Sequence, residues 1–210
     1  MEPLIAATTT TESPTWRRVT QLADLAEVYD PTVQVCALPC EMDPDVSQYL
    51  AGLESTAMIQ AIETLSAAGR PRLTALPAGP GRDALIDDLS RLSEVFCDLM
   101  ECPAVGLRLA RVDHAMCPGW HIDRVGIRLI CTYQGPGTQW VEDQDVDRRD
   151  LHHARMGDAA FIQAAPGEVV LLKGALWPGN EALGVVHRSP GIAPGADTRT
   201  LVTLDPLWHD

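Results

Sequence analysis

Apolar residues recur along this chain at two different spacings, and the change falls near residue 104. Before it the spacing is helical. Trp16, Val19, Leu22, Leu25 or Ala26, and Tyr29 lie at intervals of about three to four, the period of one helix face, and Asp30-Pro31 ends the run. Val33, Val35 and Ala37 alternate like a short strand before Pro39. Asp43-Pro44 then reads as an N-cap followed by a first-turn proline. VSQYLAGL and AMIQAIETLSAAG carry a helical pattern on to Gly69. RPRLTALPAGPGR is a loop, with a short extended piece at Leu73 to Leu76. The clearest helix is DALIDDLSRLSEVFCDLMEC. Leu85, Leu89, Leu92, Phe96, Leu99 and Met100 form its stripe, Asp83 caps it, and Cys102-Pro103 stops it.

After residue 104 the period becomes two, as in a half-buried strand. Val105, Leu107 and Leu109 share a face, as do Ile127, Leu129, Cys131 and Tyr133. QWV, two pieces about Pro166-Gly167, GVVHRSP and TRTLVTLDP continue in short strands separated by glycine- and proline-rich turns. Many short strands with turn signals predict a sandwich or barrel. The expected architecture is therefore α+β. Residues 15–103 form a mostly helical layer packed on a β-barrel of residues 104–210, in one domain, after a flexible tail over residues 1–14.

Composition narrows the function classes. Of the 210 residues, 16 are basic and 29 acidic, a formal charge of −13. No basic patch of the kind nucleic acid requires stands out, so no nucleic-acid partner is expected. No apolar run reaches the roughly 18 residues needed to span a bilayer. The N-terminal stretch lacks the layout of a secretory signal, so a cytoplasmic protein without membrane attachment is the default. The six cysteines are expected to be reduced. Neither Cys36/Cys40 nor Cys97/Cys102 has the spacing of a structural zinc motif.

The chemistry concentrates in Cys117-Pro118-Gly119-Trp120-His121-Ile122-Asp123. On a strand, positions i and i+2 point to the same face, so His121 and Asp123 can reach one metal, and His187 in a later strand can complete the set. Two histidines and a carboxylate form the facial triad of non-haem iron(II) sites, and zinc or manganese uses similar ligands. Taken singly, His121 also reads as a turn histidine and His187 as a core histidine; their joint strand placement favours metal. A hairpin folded near residues 193–194 would bring Arg199 beside His187, roughly 5 Å away on the neighbouring strand, where its planar fork suits a carboxylate. Arg128 either orients Asp123 or meets a substrate anion. Tyr133 either donates to an oxo-acid carboxylate or packs in the core. Lys173 is a buried strand lysine able to contact a cofactor. Cys117 is a further soft ligand or a turn thiol. Trp120, Trp140 and Trp177 are expected near the mouth of the pocket. His152, His153 and His209 sit in polar or terminal contexts and read as solvated.

The run CPGWHIDRVGIRLICTYQGPGTQWV, with PGEVVLLKGALWPGNE and GVVHRSP, resembles a bacterial family known as domain of unknown function 1826. Members of that family are often associated with zinc homeostasis, which permits, as the alternative function, a zinc-binding accessory protein without oxygenase turnover. More distantly, the run is similar to iron(II)- and 2-oxoglutarate-dependent oxygenases of the double-stranded β-helix (jelly-roll, cupin-like) fold. That resemblance implies His121, Asp123 and His187 as iron ligands and Arg199 as the 2-oxoglutarate anchor. Arg128 and Tyr133 then stand at the reacting centre, with Tyr133 and Lys173 as further co-substrate contacts. The expected function is an oxygenase of this kind acting on an unknown substrate.

Overall fold

A computed structural model describes residues 15–54, 58–146, 148, 151, 161–193 and 198–208. The expected tail and His152, His153 and His209 lie outside these residues. The strands are β1 (Trp16–Arg18), β2 (Val35–Leu38), β3 (Ile59–Ser66), β4 (Ala104–Val112), β5 (Ile127–Gln134), β6 (Gln139–Trp140), β7 (Ile162–Gln163), β8 (Val169–Lys173), β9 (His187–Arg188) and β10 (Arg199–Leu207). The helices are α1 (Pro44–Gly52), α2 (Arg82–Met100) and two 3-10 segments, Leu22–Tyr29 and Asp143–Asp145. No described helix is long and apolar enough to cross a membrane.

Seven strands form one mixed sheet in the order β1-β2-β8-β5-β10-β4-β3, and three form a second, β7-β6-β9. The two pack face to face. Ile130, Val170, Leu172 and Leu201 of the large sheet meet Trp140 and Val185 on the small-sheet side in one apolar cluster. The outer face of the large sheet buries Leu107, Leu129, Leu171 and Val202 in a single cluster with Leu85, Leu89 and Phe96 of α2. β8 is buried at all five positions, as expected of a strand covered on both faces.

The expected N-terminal helical layer is not what forms. The fold is mostly β, and the region before residue 104 supplies β1 and β2 to one side of the large sheet and β3 to the other. The reason is clearest at β3. Ile59, Ile62 and Leu65 recur every three residues and read as a helix stripe. Ile59, Ala61, Glu63 and Leu65 recur every two, and it is this set that turns inward, leaving Ile62 63% exposed. Pairing all eight residues of β3 with β4 outweighs local propensity, which is a weak prior. In the first predicted helix, Trp16 joins β1 and only Leu22–Tyr29 coil, as 3-10. α1 begins as expected, with the Asp43 carboxylate accepting from Asp45 N and Pro44 in the first turn.

Glycine is required where loops cross the sheet ends. At Gly174, just past β8, an added Cβ would overlap the Val125 carbonyl and lie 2.8 Å from that of Asp123. The bare α-carbon lets the segment after His121 lie against the end of β8, with Ala175 N donating to Asp123 O at 3.0 Å. Gly174→Ala is expected to destabilise the protein by about 1–3 kcal/mol and to weaken metal binding, because it displaces the backbone carrying Asp123. Chemical denaturation and a metal titration on the same sample check both.

Candidate metal centre

His121 and His187 are fixed to each other by backbone. They form an isolated antiparallel bridge in which each N–H donates to the other's carbonyl at 3.0 Å. Residues paired this way send their side chains to the same face. Trp120 and Val186, one residue before each histidine, pack with Val141 on the far side, so alternation turns both imidazoles into the space between the sheets. The ring centroids are 4.4 Å apart.

Asp123 closes the group. Its Oδ1 lies 3.5 Å from His121 Nε2 and its Oδ2 lies 3.5 Å from His187 Nε2. One ligand atom from each of the three falls within 4.8 Å of the others. The tautomers follow from the outer partners. His121 Nδ1 is 3.0 Å from the Gly119 carbonyl and His187 Nδ1 is 3.0 Å from that of Val185. A carbonyl only accepts, so both Nδ1 atoms carry hydrogen and, in the neutral rings, both Nε2 atoms present bare lone pairs. Two lone pairs and a carboxylate thus converge with neither ring offering a donor to the carboxylate, an arrangement that a cation relieves. Histidine ligands ordinarily hand their second N–H to a carbonyl in this way, so the donor set fits a divalent metal. Burial opposes ionisation of Asp123, but when the two rings are protonated their Nε2–H groups donate to it, and these hydrogen bonds with the charges of His187 and Arg128 outweigh it. They hold the carboxyl far below the usual range.

Arg128, on the inward face of β5, orients Asp123. Its Nε and Nη2 grip both Asp205 oxygens at 2.7 Å, and its Nη1 donates to Asp123 Oδ2 at 2.5 Å. Burial disfavours its charge, but Asp205 and Asp123 raise its pKa above the ordinary arginine value. In these contacts it is a positioning group for the carboxylate. Asp205 escaped the sequence reading. The available signal was parity, since Arg199, Leu201, Thr203 and Asp205 alternate onto one face of β10.

Arg199 reaches the same cavity by a different route from the one expected. β9 and β10 are not hairpin neighbours; β10 lies between β5 and β4 in the large sheet, and β9 pairs with β6 in the small one. Arg199 therefore faces His187 across the sandwich. It is 1% exposed, and its partners among the described residues are all neutral. Nε donates to the Pro136 carbonyl at 2.9 Å, Nη2 to Thr138 Oγ1 at 3.0 Å and Nη1 to Ser189 Oγ at 3.2 Å. Burial pulls its pKa down to about 10, which leaves it charged at neutral pH. Gly135, at φ 79°, turns the chain beneath it. Thr138, Ser189 and Pro136 were missed as its partners because they come from two connections far from it in sequence, the β5–β6 turn and the segment after β9. The trio, Arg128 and Arg199 line one cavity of about 110 Å³.

Two expected site residues face elsewhere. Tyr133 and Lys173 belong to the odd-numbered positions of β5 and β8, which point to the helix-covered face. Tyr133 donates to Asp88 Oδ2 on α2 at 2.6 Å, and burial, then nearby Cys131 and Asp88, raises its pKa well above the ordinary value. Lys173 Nζ donates to the Asp30 carbonyl at 2.9 Å and lies 5.2 Å from the Trp177 ring centroid, with its pKa lowered by burial. Neither lines the cavity. Tyr133→Phe is expected to cost about 1.5–3 kcal/mol of stability, the scale of a hydrogen bond to a charged group, and to leave metal affinity unchanged. Cys117 borders the cavity but is exposed, and its sulfur is not among the three converging ligands. Of the tryptophans, Trp120 stacks under Arg188 near the cavity, Trp140 is buried between the sheets, and Trp177 lies on the other side.

The model of a family described as "Protein of unknown function (DUF1826)" matches residues 19–205. No curated protein matches the chain. Among solved structures, the rice dioxygenase for auxin oxidation is similar, with a TM-score of 0.55 at 15% identity over 89% of this chain and 77% of that one. The dioxygenase for auxin oxidation 1 of Arabidopsis thaliana, in its 2-oxoglutarate complex, gives a TM-score of 0.51 at 10% identity over 90% of this chain and 88% of that one. At these identities the likeness is one of fold alone, shared with these two dioxygenases.

Proposed function

The chain belongs to the DUF1826 family of proteins of unknown function, and from that premise we propose that it is a non-haem iron(II)- and 2-oxoglutarate-dependent oxygenase. One observation carries the reading. A His–Asp–His trio and a buried arginine without an acidic partner share a single cavity. Three protein ligands leave positions open for a chelating co-substrate and oxygen, and a desolvated guanidinium favours an anion.

In this role His121, Asp123 and His187 hold the metal. The Gly119 and Val185 carbonyls fix the imidazole tautomers, and Arg128 keeps the carboxylate turned toward the histidines. Arg199 takes the far carboxylate of 2-oxoglutarate, with the Thr138 and Ser189 hydroxyls holding its fork in place. The two sheets exclude bulk water from this end of the cavity. Bound iron supplies the redox chemistry that couples oxidation of 2-oxoglutarate to succinate and carbon dioxide with oxidation of a second substrate by dioxygen. The acidic chain, at −13, disfavours nucleic acid as that substrate.

The test is metal identity followed by turnover. Protein purified from unsupplemented cells is expected to accept one equivalent of iron(II) and to form succinate from 2-oxoglutarate in air. Stoichiometric zinc that iron does not displace, with no succinate formed, would overturn the oxygenase reading in favour of a zinc-holding accessory protein.

A further inference from the structure

Charge is distributed unevenly over this molecule. The chain has 16 Lys and Arg against 29 Asp and Glu, yet four arginines, Arg108, Arg128, Arg188 and Arg199, line the metal cavity, with Asp123 the one acidic residue among its lining. Two of the four are accounted for. Arg128 is committed to Asp123 and Asp205, and Arg199 is the buried anchor at the closed end. Arg188 stacks 4.3 Å from the Trp120 ring centroid, and its Nε donates to Gln139. Arg108 is different. It is exposed at the rim and, among the described residues, makes no hydrogen bond or ion pair.

Arg108 also marks where the cavity continues. Its register partner on β10 is Thr203, which lines the metal cavity beside it. Ala110 and Val112, the next two positions on the same face of β4, line a second, larger hollow of about 410 Å³. Met116 borders both hollows. The second hollow is floored and walled largely by apolar groups, with Met58, Ile59, Ala110, Val112 and Met116 among them. One strand therefore runs from a free guanidinium at the metal cavity into an apolar trough, with about 7 Å between successive same-face positions.

We propose that the second substrate is an organic acid with an apolar body, its anionic group held by Arg108 and its body lying in the trough over Ala110 and Val112. This rests on the oxygenase reading for what happens next, but not for the binding itself. Arg199 cannot serve both acids, because it lies buried at the closed end between Thr138 and Ser189. The free rim arginine and the closed-in one thus divide two anions between them.

Calorimetric titration tests this without turnover. Phenylacetate, hydrocinnamate and octanoate, each against its primary amide, are titrated into manganese-loaded protein with 2-oxoglutarate present. At least one acid is expected to bind roughly tenfold or more tighter than its amide, the scale of a charge-assisted contact. Arg108→Gln removes that preference, Arg108→Lys restores part of it, and Arg199→Gln leaves it standing. Met58→Asp weakens acid and amide alike. The proposal is overturned if no acid outbinds its amide, if the preference survives in Arg108→Gln, or if Arg199→Gln alone abolishes it. Loss of 2-oxoglutarate binding from the unmodified protein, with the Arg108-dependent preference intact, would instead sink the oxygenase reading and spare this one.

Discussion

Replacing His187 with alanine will remove stoichiometric iron binding and abolish succinate formation while leaving the β-sandwich folded. The backbone bridge to His121 uses only main-chain atoms, so the two strands stay paired when the imidazole goes. What disappears is one of three converging candidate ligands, in a site where no fourth candidate converges among the described residues. Changing a group that merely supports a ligand typically costs 10- to 100-fold in metal affinity or activity. Loss of a ligand itself should exceed about 100-fold. Asp205→Asn supplies the graded comparison. It loosens Arg128, which holds Asp123, and is expected to fall within that 10- to 100-fold range. Cys117→Ala should change nothing. Metal content and iron(II) titration of the three variants, with circular dichroism as the control for folding, check the series. Equal iron binding by wild type and His187→Ala would remove the trio from the site.

Arg199→Gln is expected to raise the 2-oxoglutarate Kd by roughly 30-fold to several thousand-fold, the range for truncating one member of a buried charge pair, without loss of iron. Glutamine keeps part of the length and hydrogen-bonding capacity but not the charge. Thr138 and Ser189 lose only a cationic donor. Because an unpaired buried cation is unfavourable in the free protein, the variant should be at least as stable as wild type in the absence of 2-oxoglutarate. A purely structural Arg199 would give the reverse, with lower stability and unchanged co-substrate affinity. Denaturation curves with and without 2-oxoglutarate separate the two directly.

Much of the β half was legible because β4 and β5 carry their inward apolar residues at a period of two. Val105, Leu107 and Leu109, and Ile127, Leu129 and Cys131, do share faces as read. Parity was also the tool left unused. Arg128 and Tyr133 are five positions apart on β5, an odd offset, so they cannot both face one cavity. The apolar set to which Tyr133 belongs already assigned it to the core. The same reasoning separates Lys173 from Leu172 on β8. Parity could also have found Asp205 from Arg199. Two features lay beyond local pattern. β3 carries both periods at once, and only its pairing with β4 decides between them. The path from β9 to β10 crosses from one sheet to the other, whereas a short glycine-proline connection reads locally as a hairpin. The cavity itself is a product of that crossing, since it brings Arg199 opposite His187 instead of beside it.

The central claim is that His121, Asp123, His187 and Arg199 together bind iron(II) and 2-oxoglutarate in one site. Its most direct test is anaerobic addition of iron(II) and then 2-oxoglutarate to the metal-free protein, followed by visible absorption. A weak charge-transfer band is expected that saturates at one equivalent of each. It should be absent in His187→Ala and should need far more 2-oxoglutarate to appear in Arg199→Gln. No band at saturating concentrations, or a band unchanged in both variants, would contradict it.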